Sequence, residues 1–116
     1  MNFDLRESCL WEALEDDVYV LHMLWDLANQ SRRPPRELVS DLNAIFAELR
    51  RELPLQLRKT ETLSDLGIDI EWKEFAAEDI INERDELAGP PYYWFTLYDT
   101  GVTPKQLSEC LEKFSG

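Results

Sequence analysis

Glycine is scarce in this chain, with four in 116 residues: Gly67, Gly89, Gly101 and Gly116. Each falls at a turn signal or at the terminus, so neither a glycine-rich phosphate loop nor a dinucleotide fingerprint can be built. Histidine occurs once, at His22. Without a second histidine or a cysteine at ligand spacing it supplies no metal triad. As a general base it would need a partner, and Asp26 at i+4 is the candidate. The simpler expectation is a half-buried histidine bonded to Asp26 or to a backbone carbonyl. Cysteine occurs twice, at Cys9 and Cys110; the two could pair in space, but two small side chains within helical patterns are expected to be buried and reduced. No apolar run approaches the roughly 18 residues of a membrane span. The first residues are acidic, so neither a signal nor a transit peptide is read there, and a cytoplasmic location is expected. The acid clusters Glu15-Asp16-Asp17 and Glu83-Asp85-Glu86 lack the alternating oxygen ligands and central glycine of a calcium loop, and they read as solvated faces. With no motif for a nucleophile, metal or cofactor, the expectation is a protein that is not an enzyme and carries no cofactor.

What the chain has is apolar surface and acid. A 44% hydrophobic content with 11% aromatic is that of a folded globule, and 116 residues suit a single domain over 1–116. The net charge is −12 and uneven. Residues 1–31 carry one base and seven acids, residues 32–59 seven bases and four acids, and residues 60–116 four bases and thirteen acids. Such a globule repels nucleic acid and anionic membranes at long range. The middle segment is the one basic patch, with Arg32, Arg33, Arg36, Arg50, Arg51, Arg58 and Lys59.

Leu10, Leu14, Val18, Leu21, Trp25 and Ala28 recur at spacings of three, four or seven. This predicts a helix over about residues 5–29, with a restart near Asp16 or Asp17. A second helix is expected over 36–53, with Leu38, Leu42, Phe46 and Leu49 on its stripe and Pro54 as its stop. The two should form an antiparallel helical hairpin over 5–54. In residues 55–116 a short helix is expected near Thr62-Leu63-Ser64-Asp65, ended by Gly67, and then a strand over 68–75. Residues 76–88 are polar and acidic and are expected to form either a short helix or an ordered excursion. Residues 92–98 read YYWFTLY, nearly all aromatic or β-branched, and predict a second strand paired with the first. Thr103, Pro104 and Gln106 make a capping box with proline at the first helical position. Leu107, Cys110, Leu111 and Phe114 form the buried stripe of a last helix. The fold class is therefore α+β and mostly helical, with an N-terminal helix pair, a short helix, a two-stranded β-hairpin and a C-terminal helix.

The segments LSDLGIDIEW (63–72) and YYWFTLYDTGVTPKQL (92–107) in this order resemble the winged helix superfamily. They match the end of a recognition helix entering a first wing strand, and then the second wing strand with its trailing helix. The resemblance implies a recognition element over 55–66. Arg58 and Lys59 would meet phosphates there, and Gln56 or Thr60 would read base edges. It also implies a DNA-binding regulator. Charge favours a different reading. The excursion over 74–88 carries six acids against Arg84 alone, which repels a duplex. The expected function is thus a non-catalytic protein-binding module of adaptor, inhibitor or immunity type. Glu78, Asp79, Glu83, Asp85 and Glu86 are the candidate contacts to a protein partner with a basic or mixed face. Nucleic acid is disfavoured, no membrane is expected, and a homo-oligomer remains open.

Overall fold

A computed structural model describes residues 9–62 and 67–115. Among these residues five helices, a 3₁₀ turn and a four-stranded antiparallel sheet follow one another in a mixed α+β order. They are α1 (Cys9–Ala13), β1 (Val18–Tyr19), α2 (Val20–Ser31), a 3₁₀ turn at Pro35–Leu38, α3 (Val39–Glu52), β2 (Gln56–Thr60), β3 (Ile68–Ile70), α4 (Ala77–Ile80), β4 (Tyr92–Thr96) and α5 (Pro104–Ser115). The strand order is β1-β4-β2-β3. Among the described residues no helix is long and apolar enough to cross a membrane.

The first helix is broken where the acids cluster. Past Ala13 the chain turns through Glu15 and Asp16, and Val18–Tyr19 pairs with Phe95 and Trp94 as a short edge strand before α2 begins. Two β-branched and aromatic residues facing the aromatic strand gain more from pairing than from one further helical turn. Arg32 closes α2 in the left-handed conformation, with its N–H on the Ala28 carbonyl. The second helix keeps its expected stripe: Leu42, Ile45, Phe46 and Leu49 are buried, and it ends before Pro54. Its first turn, opened by Pro35, is 3₁₀.

Two expectations for the second half are corrected. Residues 56–60 form not a helix but a central strand, hydrogen-bonded to β4 on one side and β3 on the other. The pattern Leu55, Leu57 buried with Gln56, Arg58 half-exposed has the period of two that a strand requires. The capping box at 62–65 lies largely outside the described residues. The predicted pairing of 68–75 with 92–98 is replaced accordingly: β2 stands between β3 and β4. Only Ile68–Ile70 is strand, and 71–76 is irregular chain tied to α3. Asn43 Nδ2 donates to the Phe75 carbonyl, and the Phe75 N–H donates to Asn43 Oδ1, both at 2.9 Å. Trp72 Nε1 donates to the Leu55 carbonyl at 2.9 Å.

One buried cluster takes side chains from all five helices and from β1, β2 and β4. Phe46 is its hub, meeting Trp72, Phe75 and Phe95 with ring centroids 4.9, 6.4 and 5.3 Å away. The C-terminal helix is capped as expected. Gln106 N–H donates to Thr103 Oγ1 at 3.2 Å, and Thr103 N–H donates to Gln106 Oε1 at 2.9 Å. Leu107, Cys110 and Leu111 point inward. Replacing Thr103 by alanine should lower stability by about 0.5–2 kcal/mol, read as a shift in the denaturation midpoint at constant slope; an unchanged midpoint would mean the reciprocal bonds carry no weight. Cys110 is a free, buried thiol. Burial, then Glu52, push its pKa up against the opposing pull of Lys113, so it behaves as a small core residue.

Candidate functional site

Register alone decides what the outer face of the sheet carries. Tyr19, Trp94, Arg58 and Asp69 are successive cross-strand partners through β1, β4, β2 and β3. Directly opposed residues share a face, so these four side chains form one row on the side away from Phe46. Arg58 lies in the middle of the row. Its Nε donates to Asp69 Oδ1 at 2.9 Å, and its Nη1 lies 3.1 Å from Asp17 Oδ1. Burial works against its charge, but the Asp69 bond and the Asp17 charge outweigh it and hold the guanidinium above its usual pKa. Gly67 makes room for this clamp, because a Cβ there would stand 2.9 Å from Arg58 Cβ.

Three of the four residues considered for base or phosphate contact have other work in this fold. Arg58 is closed by two carboxylates. Gln56 Nε2 donates to the carbonyls of Leu57 and Ile70 at 2.9 and 3.2 Å. Thr60 is 4% exposed, and its Oγ1 accepts from Trp94 Nε1 at 2.9 Å. Lys59 is half-exposed, between Tyr93 and Ile68 in the ladder. Four of the five other bases of the segment are also engaged. Arg33 pairs with Asp41 at 3.7 Å, Arg51 with Glu48 at 3.2 Å and Arg36 with Asp85 at 3.5 Å, while Arg50 lies over the Trp72 ring at 5.1 Å.

The acidic excursion is an ordered loop. Asn82 Oδ1 accepts from the N–H groups of Arg84 and Glu86, Asn82 N–H donates to the Glu86 carbonyl, and Ile81 bridges to Leu87. Arg36 ties its tip to the 3₁₀ turn through the Asn82 carbonyl at 2.8 Å. Asp79 caps α4 through the Ala76 N–H and pairs with Lys73 at 3.1 Å, and those contacts raise the Lys73 pKa against its burial. Of the five candidate acids, Glu78, Glu83 and Glu86 are exposed, whereas Asp79 and Asp85 are half-buried in ion pairs.

Sequence spacing left a further feature unread. Tyr19 stacks on Trp94 at 3.9 Å between centroids and 23° between planes. His22 meets Tyr19 edge-on at 5.3 Å, and Trp25 lies nearly parallel to His22 at 6.1 Å. Four rings thus form one ladder from the outer sheet face along α2. His22 is exposed, not half-buried, and Trp25 is 41% exposed. Burial, then the neighbouring Tyr92, raise the Tyr19 phenol pKa, and Tyr92, two residues from Trp94 in β4, lies on the same sheet face. The signal was the spacing of three, 19-22-25, on the polar flank of an otherwise buried helix. A separate open cavity of about 350 Å³ lies between the end of α3 and α5, lined by Glu52, Val102, Cys110 and Lys113 among others. Lys113 crosses it to Glu52 at 2.8 Å. Among the described residues no three histidine, cysteine or carboxylate side chains converge as metal ligands. Comparison with protein-family models, with curated proteins and with solved structures gives no match.

Proposed function

We propose that this protein is a non-catalytic protein-binding module whose partner presents a basic or mixed face. The observation that carries the proposal is an ordered acidic loop beside exposed aromatic rings. Leu87, Ala88 and Tyr92 share a small cleft with Val20 and Leu21, so the loop ends against the start of α2, next to the ladder. Rigid aromatic anchors rimmed by charge are the composition of protein interfaces. The winged-helix regulator is the competing proposal, and its weakness is chemical: Gln56 and Thr60 are bonded within the sheet and Arg58 is held by Asp17 and Asp69, which leaves Lys59 as the one cation of the four candidates outside an ion pair among the described residues.

Two measurements test the choice. No duplex DNA binding is expected near physiological ionic strength, where a regulator would bind with a steep salt dependence. Reversing Glu83 and Glu86 to lysine should slow association with a captured protein partner and leave the fold intact, because rim charges act mainly on the on-rate. Salt-sensitive duplex binding that disappears in Lys59→Ala would overturn the proposal and install the regulator.

A further inference from the structure

We infer that the ladder Trp94–Tyr19–His22–Trp25 is the docking surface, and that its occupant is an arginine-bearing segment of the partner protein; this rests on the protein-binding proposal above. The geometry supplies the stacking surface. Each ring is fixed by its neighbour, so Trp25, 41% exposed, meets a ligand without losing much freedom of its own.

Charge chooses the ligand. Residues 9–31 hold five carboxylates and neither lysine nor arginine, so the stretch from α1 to α2 brings four carboxylates besides Asp17, which Arg58 holds. The Arg58 clamp leaves two carboxylates on one guanidinium at the ladder's sheet end, a surplus of one negative charge. The acidic loop adjoins it through Tyr92 and Val20. A ring face is itself negative and attracts cations, guanidinium above all. The protein already makes such contacts internally: Arg50 lies over Trp72 at 5.1 Å, and Lys73 over Tyr93 at 4.9 Å. Among the described residues no cation lies over Trp25, Tyr19 or Trp94. A nucleic-acid strand offers bases to the rings but phosphates to the carboxylates, and a second copy brings another −12. Both are disfavoured by the same field that attracts arginine.

The test uses the full chain and three synthetic peptides of equal length, repeats of arginine–glycine, lysine–glycine and citrulline–glycine, titrated calorimetrically at physiological ionic strength. The arginine peptide should bind best and the citrulline peptide, which keeps the shape without the charge, should not bind. Trp25→Ala should weaken arginine-peptide binding roughly two- to fivefold. His22→Lys, which adds a fixed cation in mid-ladder, should weaken it further. Both side chains are exposed, so thermal unfolding should hardly move. Undiminished binding in Trp25→Ala, or equal binding of the citrulline peptide, would overturn the inference. So would Trp25-dependent binding of a single-stranded oligonucleotide, or a Trp25-dependent dimer in sedimentation. Arginine-peptide binding that survives Trp25→Ala and is lost in Glu83→Lys with Glu86→Lys would move the docking surface to the acidic loop. The ladder assignment would then fall and the protein-binding proposal would stand.

Discussion

Phe46→Ala is expected to destabilise the protein by about 3–5 kcal/mol, measured by denaturant unfolding. Phe46 is 2% exposed and touches three rings that come from different parts of the chain: Trp72 and Phe75 of the irregular segment, and Phe95 of β4. Alanine would remove those contacts and leave a cavity lined by large, rigid side chains that close slowly around a void. A partial rescue by Phe46→Leu is expected, since it restores most of the volume without the ring edges. A loss below about 1 kcal/mol for Phe46→Ala would contradict the packing, because a site with three aromatic neighbours cannot collapse without strain.

Arg58→Met should cost on the order of 2 kcal/mol and should do so with no change in affinity for duplex DNA. The side chain is 27% exposed and Asp17 is 21% exposed, so solvent screens part of the pairing and the loss stays below the 3–5 kcal/mol of a fully buried pair. The methionine keeps the stem that packs beside Gly67, and the cost then isolates the two carboxylates left facing each other across the outer sheet face. Combining Arg58→Met with Asp69→Asn should recover part of the loss, since one stranded charge is removed. A neutral Arg58→Met would mean that the clamp carries no stability. A neutral substitution that abolished duplex binding would favour the regulator. Because Arg58→Met disturbs the fold, Lys59→Ala is the cleaner probe of nucleic-acid contact.

The helical stripes, the stop at Pro54, the capping box at Thr103 and the aromatic strand were legible in the sequence because each rests on interactions within one short segment. A period of 3.6 or 2, a proline without an N–H and a hydroxyl three residues before a glutamine act locally. The mixed α+β class followed from the same signals. Strand order did not. Residues 56–60, QLRKT, are short and polar enough to pass for a helix start, and only the neighbours on both sides make them a central strand. The break of the first helix at Val18–Tyr19 is likewise imposed by β4, more than 70 residues away, as sheet pairing overrides local propensity. The candidate site divides in the same way. The acids of the 74–88 excursion were visible as composition. The closure of Arg58 by Asp17 and Asp69, and the stacking of Tyr19 on Trp94, arise from residues remote in sequence. Electrostatic and ring contacts depend on distance in space, and distance in space belongs to the tertiary structure alone.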